Sequence, residues 1–234
     1  MSVDITGISS MAMRDVLRES GADYAKQCGQ NVIVVSVGGV EAARRVREGE
    51  MFDFAVLAGD VIAQLADSGH VDPASRADLA RSEIAVAVAA GASRPDISDE
   101  HALRDAIMRA RTIGYSTGPS GSHLLHLLAR WDIADAIGKR LVQAPPGVAV
   151  ATLIARGEVE LGFQQSSELM HAPGVDVVGP LPQEIQQATV FSGAVCTASA
   201  HHDAAAALLA WLASDAADDA RRRHGMQPVR AARA

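Results

Sequence analysis

The chain has 234 residues, 48% of them apolar but only 3% aromatic, with 21 basic and 28 acidic side chains for a net charge of −7. That length allows one large α/β domain or two small ones, with a core filled by Ala, Val, Leu and Ile. The acidic balance argues against a nucleic-acid groove or an anionic membrane surface, both of which need a basic face. It does not argue against a small anionic ligand, because local donors outweigh a global charge screened beyond ~10 Å.

Strands and helices alternate along the chain. Asp4–Ile8 is strand-like, and a helix is predicted from Met11 to about Lys26 with Met11, Val16, Leu17 and Tyr24 inward. The β-branched run Val32-Ile33-Val34-Val35 is the signal of a fully buried parallel strand. A short helix over Glu41–Glu48, a strand over Phe52–Ala58 and a helix from Asp60 to Ser68 complete a first βα series. Repeated βα units imply a parallel sheet covered on both faces.

Ile84–Ala89 is a longer strand that runs into the turn-rich Gly91–Asp96. A second βα series follows. Thr112–Tyr115 leads into a helix at Gly121–Trp131, Leu141–Gln143 into Val148–Arg156, and Val159–Phe163 through Gln164-Gln165-Ser166-Ser167 into Glu168–Met170. Thr189–Thr197 is a second long strand, helices follow at Ala204–Ala213 and Asp215–His224, and the tail from Pro228 is expected to be loose. Two series bracketed by two long strands predict two lobes, residues 1–83 with 191–234 and residues 84–190, hinged near Ser82–Ala90 and Thr189–Cys196. Ligands of open α/β sheets sit at the carboxyl ends of strands, here an interlobe cleft able to close by hinge motion.

Cys28 and Cys196 belong to no CxxC pattern and read as two lone core thiols. No run of 18 apolar residues is present. The first residues hold an acid and no apolar h-region, so the expectation is a cytoplasmic protein, or a periplasmic one if a leader has been removed. No GxSxG, HExxH, Walker or post-strand GxGxxG motif occurs, which leaves hydrolase and nucleotide readings without support.

Three Gly/Ser-rich segments stand between strand and helix signals: Thr6–Ser10, Ser36–Gly39 and Ser116–Ser122. A helix start leaves N–H groups unpaired at the positive end of the dipole. Gly admits close backbone approach, and Ser adds a hydroxyl, so three such turns make an anion site without Lys or Arg. The competing role of Gly and Ser there is ordinary turn and cap chemistry, worth about 0.5–2 kcal/mol per cap.

The order of features resembles the type II periplasmic-binding-protein superfamily and, within it, the molybdate-binding-protein branch, which includes aconitate isomerase-like enzymes. The resemblance is carried by Gly7-Ile8-Ser9-Ser10-Met11, by Gly49–Asp60, by Arg156-Gly157-Glu158-Val159-Glu160-Leu161-Gly162 and by Arg223-His224-Gly225-Met226. It implies an α/β, two-lobed, doubly wound fold that binds a small anion, needs no cofactor or metal, and partners an ABC permease if the chain is a transport receptor. Where the branch carries an oxyanion-donating Tyr, this chain has Phe163-Gln164-Gln165. Two amides suit the uneven outline of a carboxylate.

From resemblance and turn position, the ligand donors are Ser9, Ser10, Ser36, Gly38, Gly39, Ser120, Gly121, Ser122, Gln164 and Gln165, with Arg14 as a forked carboxylate clamp. His123 lies in the first turn of its helix, where neutral imidazole is favoured, and is the first candidate for a general base. Glu41 is the carboxylate alternative and Tyr115 an acid or donor. His126, one turn on from His123, lacks a third metal ligand nearby, and His201-His202-Asp203 reads as a turn with Asp203 as N-cap. The expected activity is isomerisation or tautomerisation of a small unsaturated di- or tricarboxylate, aconitate-like; the alternative is a non-catalytic receptor for a molybdate-like oxyanion or small carboxylate.

Overall fold

The computed structural model describes residues 4–229. The loose tail expected from Pro228 lies, beyond Val229, outside those residues, as do Met1, Ser2 and Val3. In chain order, β1 (Ile5–Ser10) passes through a 3-10 turn into α1 (Arg14–Cys28), then β2 (Val32–Val37), α2 (Gly39–Arg47), β3 (Phe54–Ala58), α3 (Gly59–Asp67) and β4 (Ala77–Ser82). There follow β5 (Ile84–Ala89), α4 (Glu100–Arg109), β6 (Ile113–Tyr115), α5 (Pro119–Arg130), α6 (Ala134–Ile137) and β7 (Leu141–Gln143). The chain continues with α7 (Val150–Ala155), β8 (Leu161–Gln165), α8 (Ser166–Leu169) and β9 (Val175–Pro180). It closes with β10 (Thr189–Val195), α9 (His202–Ala213) and α10 (Asp218–Arg223).

The chain divides into two compact units, one comprising the chain up to Ser82 and from Thr189 onward, the other Glu83–Ala188. Unit 1 holds a five-stranded sheet in the order β2-β1-β3-β10-β4. β1 pairs in parallel with β2 and β3, whereas β10 runs antiparallel to β3 and β4. One face is covered by α1 and α9 through Val16, Leu17, Leu208, Leu209 and Leu212. The other is covered by α2 and α3 through Ala42, Val46, Ile62 and Leu65. Unit 2 repeats the plan with the order β7-β6-β8-β5-β9 and β5 as the antiparallel strand. Leu103, Ile107, Leu124 and Leu127 of α4 and α5 pack on one face, Val150 and Ile154 of α7 on the other.

Several sequence expectations need correction. Both sheets are mixed, not wholly parallel, because one strand in each returns antiparallel. β2 is an edge strand with an alternating burial pattern, leaving Ile33 46% and Val35 38% exposed. A β-branched run reports strand propensity, but only the strand order decides whether both faces are covered. The sequence pattern above contains no β4, α4, α6 or β9. α4 is signalled by Asp99, whose carboxylate accepts from Ala102 N–H at 2.8 Å in an ordinary N-cap. Finally, Cys28 is exposed at the end of α1 and is no core thiol, while Cys196 is buried.

Candidate functional site

Ser9 and Ser10 are the last residues of β1, and Ser36 lies in β2; all three precede the turns in which they were expected. The parallel register sets Ser9 beside Ser36, and their hydroxyls meet at 2.8 Å. Ser9 Oγ also reaches the Ser10 carbonyl at 3.2 Å. A carbonyl only accepts, so Ser9 spends its single proton there and Ser36 donates to Ser9. Ser10 Oγ is buried and has no hydrogen-bond partner among the described residues. It lies against the start of α2: a Cβ added at Gly39 would sit 3.9 Å from Ser10 Cβ. Gly38 is the N-cap and supplies no side-chain acceptor, so the first-turn N–H groups of α2 open beside an unspent hydroxyl. Those groups are donors of the kind an anion needs.

Glu41 and Arg14 lie in other company. Glu41 takes a forked pair of bonds from Arg44 at 2.6 and 2.8 Å on the exposed side of α2. The Arg44 bonds hold its carboxyl below the ordinary value, which makes it a weaker base. Arg14 is 60% exposed and rests 3.4 Å from Asp15.

In unit 2, β6 ends at Tyr115, and the turn to α5 is tied by Ser116. Its hydroxyl accepts from Gly118 N–H and meets Ser120 Oγ, both at 3.2 Å. Ser120 and Gly121 are buried, whereas Ser122 is exposed and its N–H bonds to the Gly118 carbonyl at 3.1 Å. Gly121 is obligatory: a Cβ there would lie 1.7 Å from the Ser116 carbonyl oxygen. Tyr115 donates to Gln143 Oε1 at 3.4 Å. His123 Nε2 lies 2.7 Å from the Ile185 carbonyl. That acceptor places the proton on Nε2, so neutral His123 presents Nδ1 as its basic nitrogen.

Gln164 and Gln165 are the last residues of β8, not a loop, and both are buried. Gln164 Nε2 donates to Glu168 Oε1 at 2.8 Å, and its Oε1 lies 3.4 Å from Ala151 N. Gln165 pairs in register with Ile84 at the start of β5. The structure thus gathers Ser9, Ser10, Ser36, Gly38 and Gly39 in unit 1. It gathers Ser120 and Gly121, with Ser116, in unit 2.

Other polar residues escaped the sequence reading. Asp53, buried just before β3, accepts from Thr6 N–H (2.8 Å), Thr6 Oγ1 (3.0 Å), Ser199 Oγ (2.7 Å) and His201 Nδ1 (3.1 Å). Burial opposes its charge, but the Thr6 and Ser199 bonds outweigh it and hold the carboxyl low. The Asp53 next to Phe52 and Phe54 was the available signal, because an acid inside an apolar strand needs partners. His201, not Asp203, is the N-cap of α9; Asp203 is fully exposed, and His202 pairs with Asp72 at 3.0 Å. Arg76, Asp78 and Ser192 form a third polar group beside the start of α3. No group of three or more metal-type ligands occurs among the described residues, and none of their helices is long and apolar enough to cross a membrane.

The profile of the bacterial extracellular solute-binding protein family matches residues 5–227. A Pseudomonas protein named aconitate isomerase is 37% identical over 96% of this chain and 88% of its own length. Among solved structures, the periplasmic molybdate-binding protein of Azotobacter vinelandii is similar over 97% of this chain and 100% of that one, with a TM-score of 0.80 at 19% identity. The sulfate-binding protein SubI of Mycobacterium tuberculosis is similar over 97% of this chain and 87% of that one, with a TM-score of 0.77 at 17% identity. At such identities the two structures speak for the fold alone.

Proposed function

This chain belongs to the bacterial extracellular solute-binding protein family, and from that premise we propose that it is an isomerase of a small unsaturated di- or tricarboxylate of the aconitate type. The observation that carries this reading is the 37% identity to an aconitate isomerase along nearly the whole chain. The polar groups support it. Ser10 Oγ, the Ser9–Ser36 pair and the α2 N-terminus suit a carboxylate, and they stabilise negative charge that develops on it during reaction.

The chemistry is a proton shift. A base removes a proton from the methylene carbon next to the double bond, the electron pair spreads over the allylic system into a carboxylate, and a proton returns at the former vinyl carbon. No oxidant or cofactor enters. His123 is the base in this reading, acting through Nδ1 because Nε2–H is spent on Ile185.

The test is incubation with cis- and trans-aconitate in D₂O, followed by NMR. The expected result is interconversion with solvent deuterium at the shifted position, falling by about 10²-fold in His123→Ala. Neither acid exchanging deuterium overturns the isomerase reading; full activity in His123→Ala overturns the base assignment. The second reading, a non-catalytic receptor serving an ABC permease, is favoured by the family match itself. Ligand at 100 times its Kd adds about 2.7 kcal/mol to stability. A thermal shift with molybdate or sulfate but not aconitate decides for that reading.

A further inference from the structure

Arg76 stands at the electrostatically wrong end of a helix. α3 starts directly after β3 with Ala58 as N-cap, so no side chain accepts from its first-turn N–H groups. A cation at the positive end of a helix dipole is disfavoured. Yet a Cβ placed on Gly59 would lie 3.1 Å from Arg76 Nη2 and 3.0 Å from Ser192 Oγ, so the guanidinium rests against the first residue of α3. The exposed Asp60 of that turn makes no ion pair with it among the described residues.

Its existing partners explain the position poorly. Arg76 Nη2 lies 3.5 Å from both Ser192 Oγ and Asp78 Oδ1. Asp78 already receives a 2.5 Å bond from the buried Ser192 hydroxyl. The Arg76 and Asp78 side chains are 40% and 43% exposed, where an ion pair contributes little. All these contacts use Nη2; Nε and Nη1 have no partner among the described residues.

The second observation lies on the neighbouring strand. Ser9 of β1 is registered with Val56 of β3, which sets Ser10 opposite Leu57 and Gly59 two residues further. A strand spacing of ~4.8 Å and a rise of ~3.3 Å per residue put the Ser10 and Gly59 Cα atoms roughly 8 Å apart. α2 and α3 pack on the same sheet face, and both begin at this edge. The unspent, buried Ser10 hydroxyl at the start of α2 and the guanidinium against the start of α3 thus belong to neighbouring strand ends of unit 1. Carboxyl carbons three or four bonds apart are separated by about 4–5 Å, and their outer oxygens by several ångströms more. A polycarboxylate has the reach to address two such places, which a compact tetrahedral oxyanion lacks.

We infer that Arg76 is a specificity-determining residue: with the N-terminus of α3 it binds a second carboxylate of a ligand whose first carboxylate sits at Ser10 and the N-terminus of α2. The inference rests on the carboxylate reading above, not on the isomerisation step. Asp78 and Ser192 act as positioning residues that steer the guanidinium toward α3.

The experiment is calorimetric titration of trans-aconitate and molybdate into wild type, Arg76→Gln, Arg76→Lys and Gly59→Ala, each first melted to establish that it is folded. Arg76→Gln should weaken trans-aconitate binding by about 10–100-fold, the range for a lost charge-assisted bond. Arg76→Lys, which keeps charge but not the fork, should fall between. Gly59→Ala should also lose affinity, because its Cβ displaces the guanidinium. Unchanged trans-aconitate affinity in Arg76→Gln overturns the inference, as does an equal loss for molybdate. If Arg76→Gln does not fold, Gly59→Ala with wild-type affinity overturns it instead. Wild type that binds no aconitate overturns the carboxylate reading and this one together. Wild type that binds aconitate without isomerising it, with the loss present in Arg76→Gln, overturns the isomerase reading alone.

Discussion

Replacing Gly121 by alanine places a methyl group 1.7 Å from the Ser116 carbonyl oxygen, 2.8 Å from its carbonyl carbon and 3.1 Å from Tyr115 Cδ2. Relief to ordinary contact needs a movement of more than about 1 Å. The obstacle is backbone, so no rotamer change clears it. α5 cannot tilt freely, because Leu124, Leu127 and Leu128 are buried beneath it. The Ser116 turn cannot shift without losing its bonds to Gly118 and Ser120. Overpacking costs about 1–3 kcal/mol, with backbone clashes at the upper end. Alanine in a helix returns about 1 kcal/mol through propensity. The clash wins by about 2 kcal/mol, which for a chain of this size lowers Tm by roughly 4–8 °C. Gly118→Ala is the control: its Cβ would meet nothing nearer than Ser116 Oγ at 3.5 Å, and its φ is −87°. Calorimetric melts of the two variants check this. Gly121→Ala melting at or above the wild-type temperature refutes the reasoning.

Asp53→Asn should cost about 1–3 kcal/mol at pH 7 in chemical unfolding. The folded Asp53 pKa lies below its ordinary 3.8, so its stabilisation is complete above that value and fades as pH falls through the folded one. The gap between variant and wild type should therefore narrow in acid, and a pH-independent gap rejects the account. Thiol titration at pH 8 should find one fast group, the exposed Cys28, because burial, with Asp53 nearby, pushes the Cys196 thiol up to about 12. Two fast equivalents in the native protein contradict that placement. Ile33→Thr, on the exposed face of β2, should change stability by less than about 0.5 kcal/mol. Ile8→Ala in the fully buried centre should cost about 2–5 kcal/mol in the same denaturation assay, and similar losses at both sites argue against β2 as an edge.

The alternation of strand and helix patterns was legible because period and propensity are local properties. Ser9, Ser10 and Ser36 stand out in the sequence because small hydroxyl residues where a strand gives way to a helix suit capping and anion donation alike. Local pattern failed where a neighbour decides the outcome. Val32–Val35 reads the same at the edge or the centre of a sheet, and only the strand order leaves Ile33 in water. Gln164 and Gln165 read as loop because amides rarely end buried strands; Glu168, four residues on, completes one of them. Arg76 carried no motif at all. It lies 116 residues from Ser192 along the chain, and their meeting depends on β10 returning antiparallel beside β4.

Local preferences are enough to specify a twofold βα series with Gly and Ser where strands give way to helices, since they act over a few residues. Tertiary structure alone decided which hydroxyls are spent and which is left. Ser9 is committed to Ser10 and Ser36, while Ser10 Oγ stays open beside α2. Hydrogen-bond partnership is set by distances between strands far apart in the chain, and no local pattern encodes those.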